Sequence, residues 1–180
     1  MRNTFKFMAG GLAALLITGA AVAQSYPERT IRFVVGFPPG GGTDVVTRLL
    51  ANHMTQSMKQ QVIVDNRPGA ASNIGAELVA KSAPDGYTIF MGTISTSSNR
   101  TLYKNLKYDA LKDFAPVSQV VDTPFLFAIH PSLPPQNLKQ FIAFAKARPG
   151  QLNYASAGNG SGAHLFSEMF RMMTKVDIVH

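Results

Sequence analysis

Residues 30–58 read TIRFVVGFPPGGGTDVVTRLLANHMTQSM, and this stretch decides the fold. The β-branched and aromatic run 30–37 is typical of a buried strand, and two prolines and three glycines end it. Apolar residues then recur at helical spacing, with Thr43 or Asp44 as the expected N-cap. The helical positions are Val46, Leu49, Leu50, His53 and Met54. The stretch therefore predicts a strand, a glycine-rich turn and a helix.

The same alternation continues along the chain. A second β-rich run covers 61–66, a short helix is predicted over 73–82, and a third strand over 87–92. Strands that alternate with helices pair in parallel through right-handed crossovers. We therefore expect an α/β fold whose sheet is covered on both faces.

The pattern loosens over 93–113, where a hydroxyl-rich segment carries no predicted element. Two apolar runs follow, at 116–121 and 124–129. Helical spacing returns at Leu138, Phe141, Ile142 and Ala145. We place a boundary between two lobes within 113–125, which gives a first α/β lobe over 24–118 and a second over 119–180.

The second lobe repeats the device of the first. A short strand is predicted over 152–157, a turn of three glycines over 158–162, a helix over 163–173 and a further apolar run over 176–179. Each glycine-rich turn thus lies between the end of a strand and the start of a helix. In open parallel sheets, ligands bind beyond the carboxyl ends of the strands.

The two glycine-rich loops are the candidate ligand site. Glycine lets the backbone approach a ligand, and the unpaired N–H groups of a helix N-terminus favour an anion. Asp44 competes for the same donors, so it is expected to act as a cap, through water, or toward a ligand amine. The residues considered are Phe37, Gly40, Gly41, Gly42, Thr43 and Asp44 in the first loop, and Ala157, Gly158, Asn159, Gly160, Ser161 and His164 in the second.

Composition excludes several classes of protein. The formal net charge is +7 at pH 7, but Lys and Arg are scattered singly, so we expect no nucleic-acid partner. The chain has no cysteine, which excludes disulfides, thiol chemistry and Cys-ligated metal. The four histidines show no paired metal-ligand spacing, and we expect no metal and no cofactor. The loop Gly158 to Ala163 matches a dinucleotide fingerprint only weakly.

The N-terminus has the pattern of a secretory signal peptide. Arg2 and Lys6 precede an apolar run over 7–22, and Ala21-Val22-Ala23 predicts cleavage after Ala23. We expect an exported chain that does not span the membrane after cleavage. A secreted serine hydrolase stays open as an alternative, with Ser156 or Ser161 beside His164 and Asp44. The sequence around Ser156 lacks the first glycine of a nucleophile elbow.

Several separate motifs carry a resemblance to a known family. They are residues 26–44, Val-Asp-Asn-Arg-Pro-Gly-Ala (64–70), Pro-Asp-Gly-Tyr-Thr (84–88), Ala-Arg-Pro-Gly (147–150) and Asn-Tyr-Ala-Ser-Ala-Gly-Asn-Gly-Ser-Gly-Ala-His-Leu (153–165). In this order they resemble the Bug family of tripartite tricarboxylate transporter receptors.

The resemblance implies a two-lobe type II periplasmic-binding-protein fold that closes on a small carboxylate, an organic acid or an amino acid. It implies a periplasmic, monomeric receptor without enzyme activity, whose partner is a membrane tricarboxylate transporter. The loops 37–44 and 157–164 would hold the carboxylate, partly through water, with Thr93 and Ser95 as a third contact. Family members continue well past this length, so we expect an incomplete second lobe and, as an alternative, a fragment that binds nothing.

Overall fold

The structure is a computed structural model that describes residues 26–180. The expected signal peptide and its cleavage after Ala23 lie outside the described residues. A three-stranded parallel sheet is formed by β1 (Ile31–Val35), β2 (Val62–Asn66) and β3 (Thr88–Met91), with β1 in the middle. Its parallel pairing confirms the expectation drawn from the alternation of strands and helices.

Helices connect these strands. Helix α1 (Gly42–Met58) follows β1, and a 3-10 turn (Ala70–Ser72) with helix α2 (Asn73–Ala80) follows β2. Helix α3 (Ile94–Leu102) follows β3. Every one of these helical segments therefore begins at the carboxyl edge of the sheet, where parallel strands place their ligand-binding loops.

A second, smaller unit follows. It comprises α4 (Leu138–Lys146), β4 (Leu152–Asn153), α5 (Gly162–Thr174) and β5 (Ile178–Val179). Strands β4 and β5 pair in parallel. The predicted helices of this unit are confirmed, whereas the strand predicted over 152–157 is only two residues long.

Each unit has its own apolar core. The first core packs α1 against the sheet, and its buried members are Ile31, Phe33, Val35, Ala51, Val62 and Met91. The second core joins α4 to β5 through Phe141, Ala145, Val176 and Ile178. Two separate apolar clusters are what a chain organised in two lobes requires.

Two expectations about helix starts were wrong. Gly41 is the N-cap of α1, and its extended backbone needs no side-chain cap, so Thr43 and Asp44 lie inside the first turn. The hydroxyl-rich segment is helix α3 rather than irregular chain. Thr93 is the N-cap of this helix, and its N–H donates to the Thr96 hydroxyl oxygen at 3.1 Å, which is one half of a capping box.

Residues 114–130 form neither helix nor strand. This stretch contains both apolar runs of the sequence, and Val117 and Leu126 are 94% and 91% exposed.

Within residues 26–180, none of the helices has both the length and the apolar character that crossing a bilayer requires.

Candidate ligand-binding cleft

A half-open cleft of about 320 Å³ lies where loops from both units meet. Its walls come from segments that follow strands of both sheets: 36–38 after β1 and 68–71 after β2 of the first sheet, and 157–159 after β4 of the second. Tyr103, at the end of α3, completes the lining. The cleft thus lies at the carboxyl edge of the sheet, the position that its topology favours for a ligand.

The structure brings together some of the predicted site residues and leaves others aside. Phe37 and residues 157–159 line the cleft. The rest of the predicted set lies outside the lining: Gly40, Gly41, Gly42, Thr43, Asp44, Thr93, Ser95, Gly160, Ser161 and His164. The cleft is therefore lined by the start of each glycine-rich loop rather than by the start of the following helix.

Asp44 holds the first loop in place. Its carboxylate accepts hydrogen bonds from the Gly40 N–H, from Arg48 Nε and from Asn66 Nδ2, each 2.9 Å long. These donors, with that of Arg48 first, hold the pKa of Asp44 well below its usual range. Only 2% of Asp44 is exposed, so its charge is committed to the loop, helix α1 and the end of β2.

The second loop is organised around the start of α5. Ser161 is the N-cap, and its hydroxyl accepts a hydrogen bond from the His164 N–H. The His164 ring returns toward the loop, where Nδ1 accepts a hydrogen bond from the Gly160 N–H. Asn159 makes no hydrogen bond within residues 26–180, so its N–H and its amide are available to a ligand.

The loop after β2 was missed as part of the site. Ala70, Ala71 and Ser72 all have positive φ, at 46°, 52° and 76°, which is a strained conformation for residues with a side chain. Such strain persists only where the surroundings impose it, and it clusters at ligand sites. The strand-end rule that found the other two loops would also have found this one, because β2 ends at the same edge.

Buried polar side chains impose this conformation. Asn99, fully buried on α3, donates to the Ala71 carbonyl at 2.8 Å and to Asn73 Oδ1 at 2.7 Å. The Tyr108 hydroxyl donates to the same Asn73 oxygen at 2.7 Å. We call Asn73, Asn99 and Tyr108 the asparagine cluster. It fixes the wall of the cleft from behind.

The expected third contact lies beneath the surface. Ser95 is fully buried, and neither its hydroxyl nor that of Thr93 has a hydrogen-bond donor or acceptor partner of its own in the described chain. Both residues start α3, next to the second loop: a Cβ built on Gly162 would lie 2.9 Å from Ile94 Cγ2 and 2.5 Å from Phe125 Cζ. The side chains of Ile94 and Phe125 therefore pack closely against the backbone of Gly162.

Neither serine of the hydrolase alternative bonds to the ring of His164. Ser156 Oγ lies 2.8 Å from His180 Nε2, and Ser161 Oγ accepts a hydrogen bond from the backbone N–H of His164. The His180 ring stacks on Tyr154 and lies tilted against His164. The Tyr154 hydroxyl donates to Glu168 at 2.6 Å, and burial together with this carboxylate raises the pKa of Tyr154 to about 12. These contacts join β4, α5 and the end of the chain.

Solved structures of periplasmic binding proteins share this architecture. Rpa4515 from R. palustris, determined with adipate, superimposes with a TM-score of 0.83 at 38% identity, over 86% of this chain and 52% of that one. MatC from Rhodopseudomonas palustris, with bound malate, gives a TM-score of 0.80 at 34% identity, with 86% and 53% covered. The fold is that of periplasmic solute-binding proteins.

The family follows from the sequence. The model of the tripartite tricarboxylate transporter family receptor matches residues 46–180, and the chain belongs to this family. BugT from Bordetella pertussis is 41% identical over 165 residues, which is 91% of this chain and 51% of BugT. The chain therefore spans about half the length of the curated relatives it matches. The family consists of receptors rather than enzymes, in agreement with our expectation.

Proposed function

We propose that this chain acts in the periplasm as a receptor that captures a small carboxylate for a membrane tricarboxylate transporter. The observation that supports the proposal is the convergence of residues 36–38 and 157–159 on one cleft. These loops are far apart in the sequence, and each leads into the N-terminus of a helix. Relatives with adipate and with malate support the choice of a carboxylate.

The chemistry of the cleft suits an anion. Helices α1 and α5 begin three to four residues beyond the lining segments, and a helix N-terminus carries partial positive charge. Asn159 adds an N–H and an amide without partners in the described chain. Because Asp44 is neutralised by Arg48 and by its other donors, it does not cancel this field.

We further propose that residues 24–118 and 119–180 move as two lobes about a hinge within 113–125. The candidate ligand contacts of both loops, including Gly40, Gly41, Gly42, Thr43, Gly160, Ser161 and His164, would then approach the ligand on closure. Closure of a binding protein around its ligand is a hinge motion of this kind.

The test is a thermal-shift scan of the chain with adipate and malate, followed by calorimetry. A ligand that binds only the folded state stabilises it by about 2.7 kcal/mol at 100 times its Kd. We expect Ala157→Phe to abolish the shift, because Ala157 lines the cleft. Ala155→Phe is the matched control, since Ala155 is equally exposed but lies outside the cleft.

Two results would overturn the proposal. One is cooperative unfolding of the wild-type chain at a temperature that no acid raises. The other is equal binding by Ala157→Phe and the wild-type chain. Loss of binding in both Ala157→Phe and Ala155→Phe would point to misfolding of the second loop. Comparison of the melting temperatures of the two variants without ligand identifies that case.

A further inference from the structure

The cleft presents very few polar side chains to a ligand. Of the residues that line it, most are glycine, alanine or proline, and Phe37 is apolar. Asn159 and Tyr103 are the two lining residues with polar side-chain groups. Main-chain N–H groups can bind one carboxylate, but they do not select for the chemical group at the other end of the ligand. Discrimination among acids must therefore come largely from these two side chains.

Tyr103 is fixed in position while its hydroxyl is free. Its N–H donates to the Asn99 carbonyl at 2.9 Å, and this bond ends helix α3. The side chain of this Asn99 in turn holds Ala71 in the wall of the cleft. Within residues 26–180 the Tyr103 hydroxyl makes no hydrogen bond. A half-buried phenol without a partner is a donor ready for a ligand.

Tyr103 also lines a second cavity. It measures about 190 Å³ and is lined by Arg100 and Lys104, among other residues. Neither cation forms an ion pair in the described part of the chain, and the charge of Arg100 helps to lower the pKa of Asp109. Asp109 also lines this cavity, but its carboxylate accepts the Leu111 N–H. Two cations against one carboxylate leave a positive field beside the phenol.

We propose that Tyr103 is a specificity-determining residue, whose hydroxyl donates a hydrogen bond to a second acidic group at the far end of the ligand. The inference rests on the proposed function and adds to it the residue of this chain that distinguishes a diacid from a monoacid. The carboxylate held by the helix N-termini is then common to all acids, whereas Tyr103 and the field of Arg100 and Lys104 favour those with a second negative charge.

The test compares acids of equal length with one or two carboxyl groups. Adipate is paired with hexanoate and succinate with butanoate, and each Kd is measured by calorimetry for the wild-type chain and for Tyr103→Phe. A hydrogen bond to a charged group contributes enough that we expect about a tenfold loss of affinity for the diacid. The Kd of the matched monoacid should change less than about twofold.

Tyr26→Phe is the control, because it removes a phenol hydroxyl that bonds to the Gly86 carbonyl, outside the cleft. Its affinity for every acid should equal that of the wild-type chain. Equal losses for diacid and monoacid in Tyr103→Phe, or no loss for either, would overturn the role of Tyr103 and leave the receptor function standing. A wild-type chain that binds none of the four acids would instead refute the proposed function.

Discussion

Asp44 shows how one residue can serve a binding site without facing the ligand. It joins the loop after β1, helix α1 and the end of β2 through Gly40, Arg48 and Asn66. A carboxylate near a helix N-terminus is stabilised by the helix dipole, and here its charge is also matched by Arg48. From the sequence, the Asp44 carboxylate was expected to compete with an anionic ligand for the N–H groups at the start of the helix. In the structure its partners are Gly40, Arg48 and Asn66.

We predict that Asp44→Asn lowers the melting temperature at pH 7. Because the pKa of Asp44 is lower in the folded chain than in the unfolded chain, its stabilisation is complete above the unfolded value of about 3.9. It is lost as the pH falls further toward the folded value. Thermal scans should therefore show a gap between wild type and variant that is constant from pH 7 to about pH 4 and begins to narrow toward pH 3. Asp122→Asn, at an exposed site, is the control, and a pH-independent gap would contradict this account.

Gly36 permits the close approach of β1 to the 3-10 turn. A Cβ at this position would lie 1.8 Å from Ser72 Oγ and 2.8 Å from Ser72 Cα. We expect Gly36→Ala to destabilise the chain by about 1–3 kcal/mol or more, since the backbone must move. Denaturant unfolding measures the loss. A Cβ at Gly42 would have no neighbouring atom within 4 Å, so the stability of Gly42→Ala should equal or exceed that of the wild-type chain. A similar loss of stability in Gly42→Ala would reject the steric explanation.

At the scale of the element, α3 and the 3-10 turn form one unit that shapes the cleft. We predict that Asn99→Ala costs about 1–3 kcal/mol, because it removes a buried donor to Ala71 and to Asn73. The affinity for acid should fall as well, since Ala71 is no longer held in the wall. Thr101→Ala, at an exposed position of the same helix, should change neither quantity. Calorimetry and thermal melts of both variants test this.

The elements differ in how well the sequence predicts them. Strands β1 to β3 and helices α1, α2, α4 and α5 have clear apolar periodicity, and they were predicted within a few residues. Helix α3 was missed because its serines, threonines and asparagine are typical of turns and caps. Its buried face is polar, with Ser95 and Asn99, so apolar spacing could not reveal it.

From the sequence, only those parts of the site that follow the end of a predicted strand could be predicted. Placing ligand loops at the carboxyl edge of parallel strands led to Phe37 and residues 157–159. The left-handed turn at 70–72 was not predictable, because alanine and serine disfavour that conformation until the asparagine cluster imposes it. Tyr103 enters the cleft through the packing of α3, which depends on the same contacts.

At the scale of the whole molecule, the two units are joined by a stretch that forms neither helix nor strand and is rich in exposed apolar side chains. Val117 and Leu126 are almost fully exposed within 114–130, and Phe125 reaches the second unit, where it stacks on Phe166 at 4.4 Å. Exposed apolar side chains concentrated in one segment promote association of chains in solution.

We therefore predict that Val117→Lys with Leu126→Lys reduces the binding of a hydrophobic dye and the light scattering of concentrated samples. Because neither side chain is buried, the free energy of unfolding should change by less than about 0.5 kcal/mol. Phe141→Ser, in the core of the second unit, should have the opposite effect, lowering stability and raising dye binding. Unchanged scattering in the double variant would mean that the chains associate through another surface, and a large loss of stability would mean that these side chains pack against the fold.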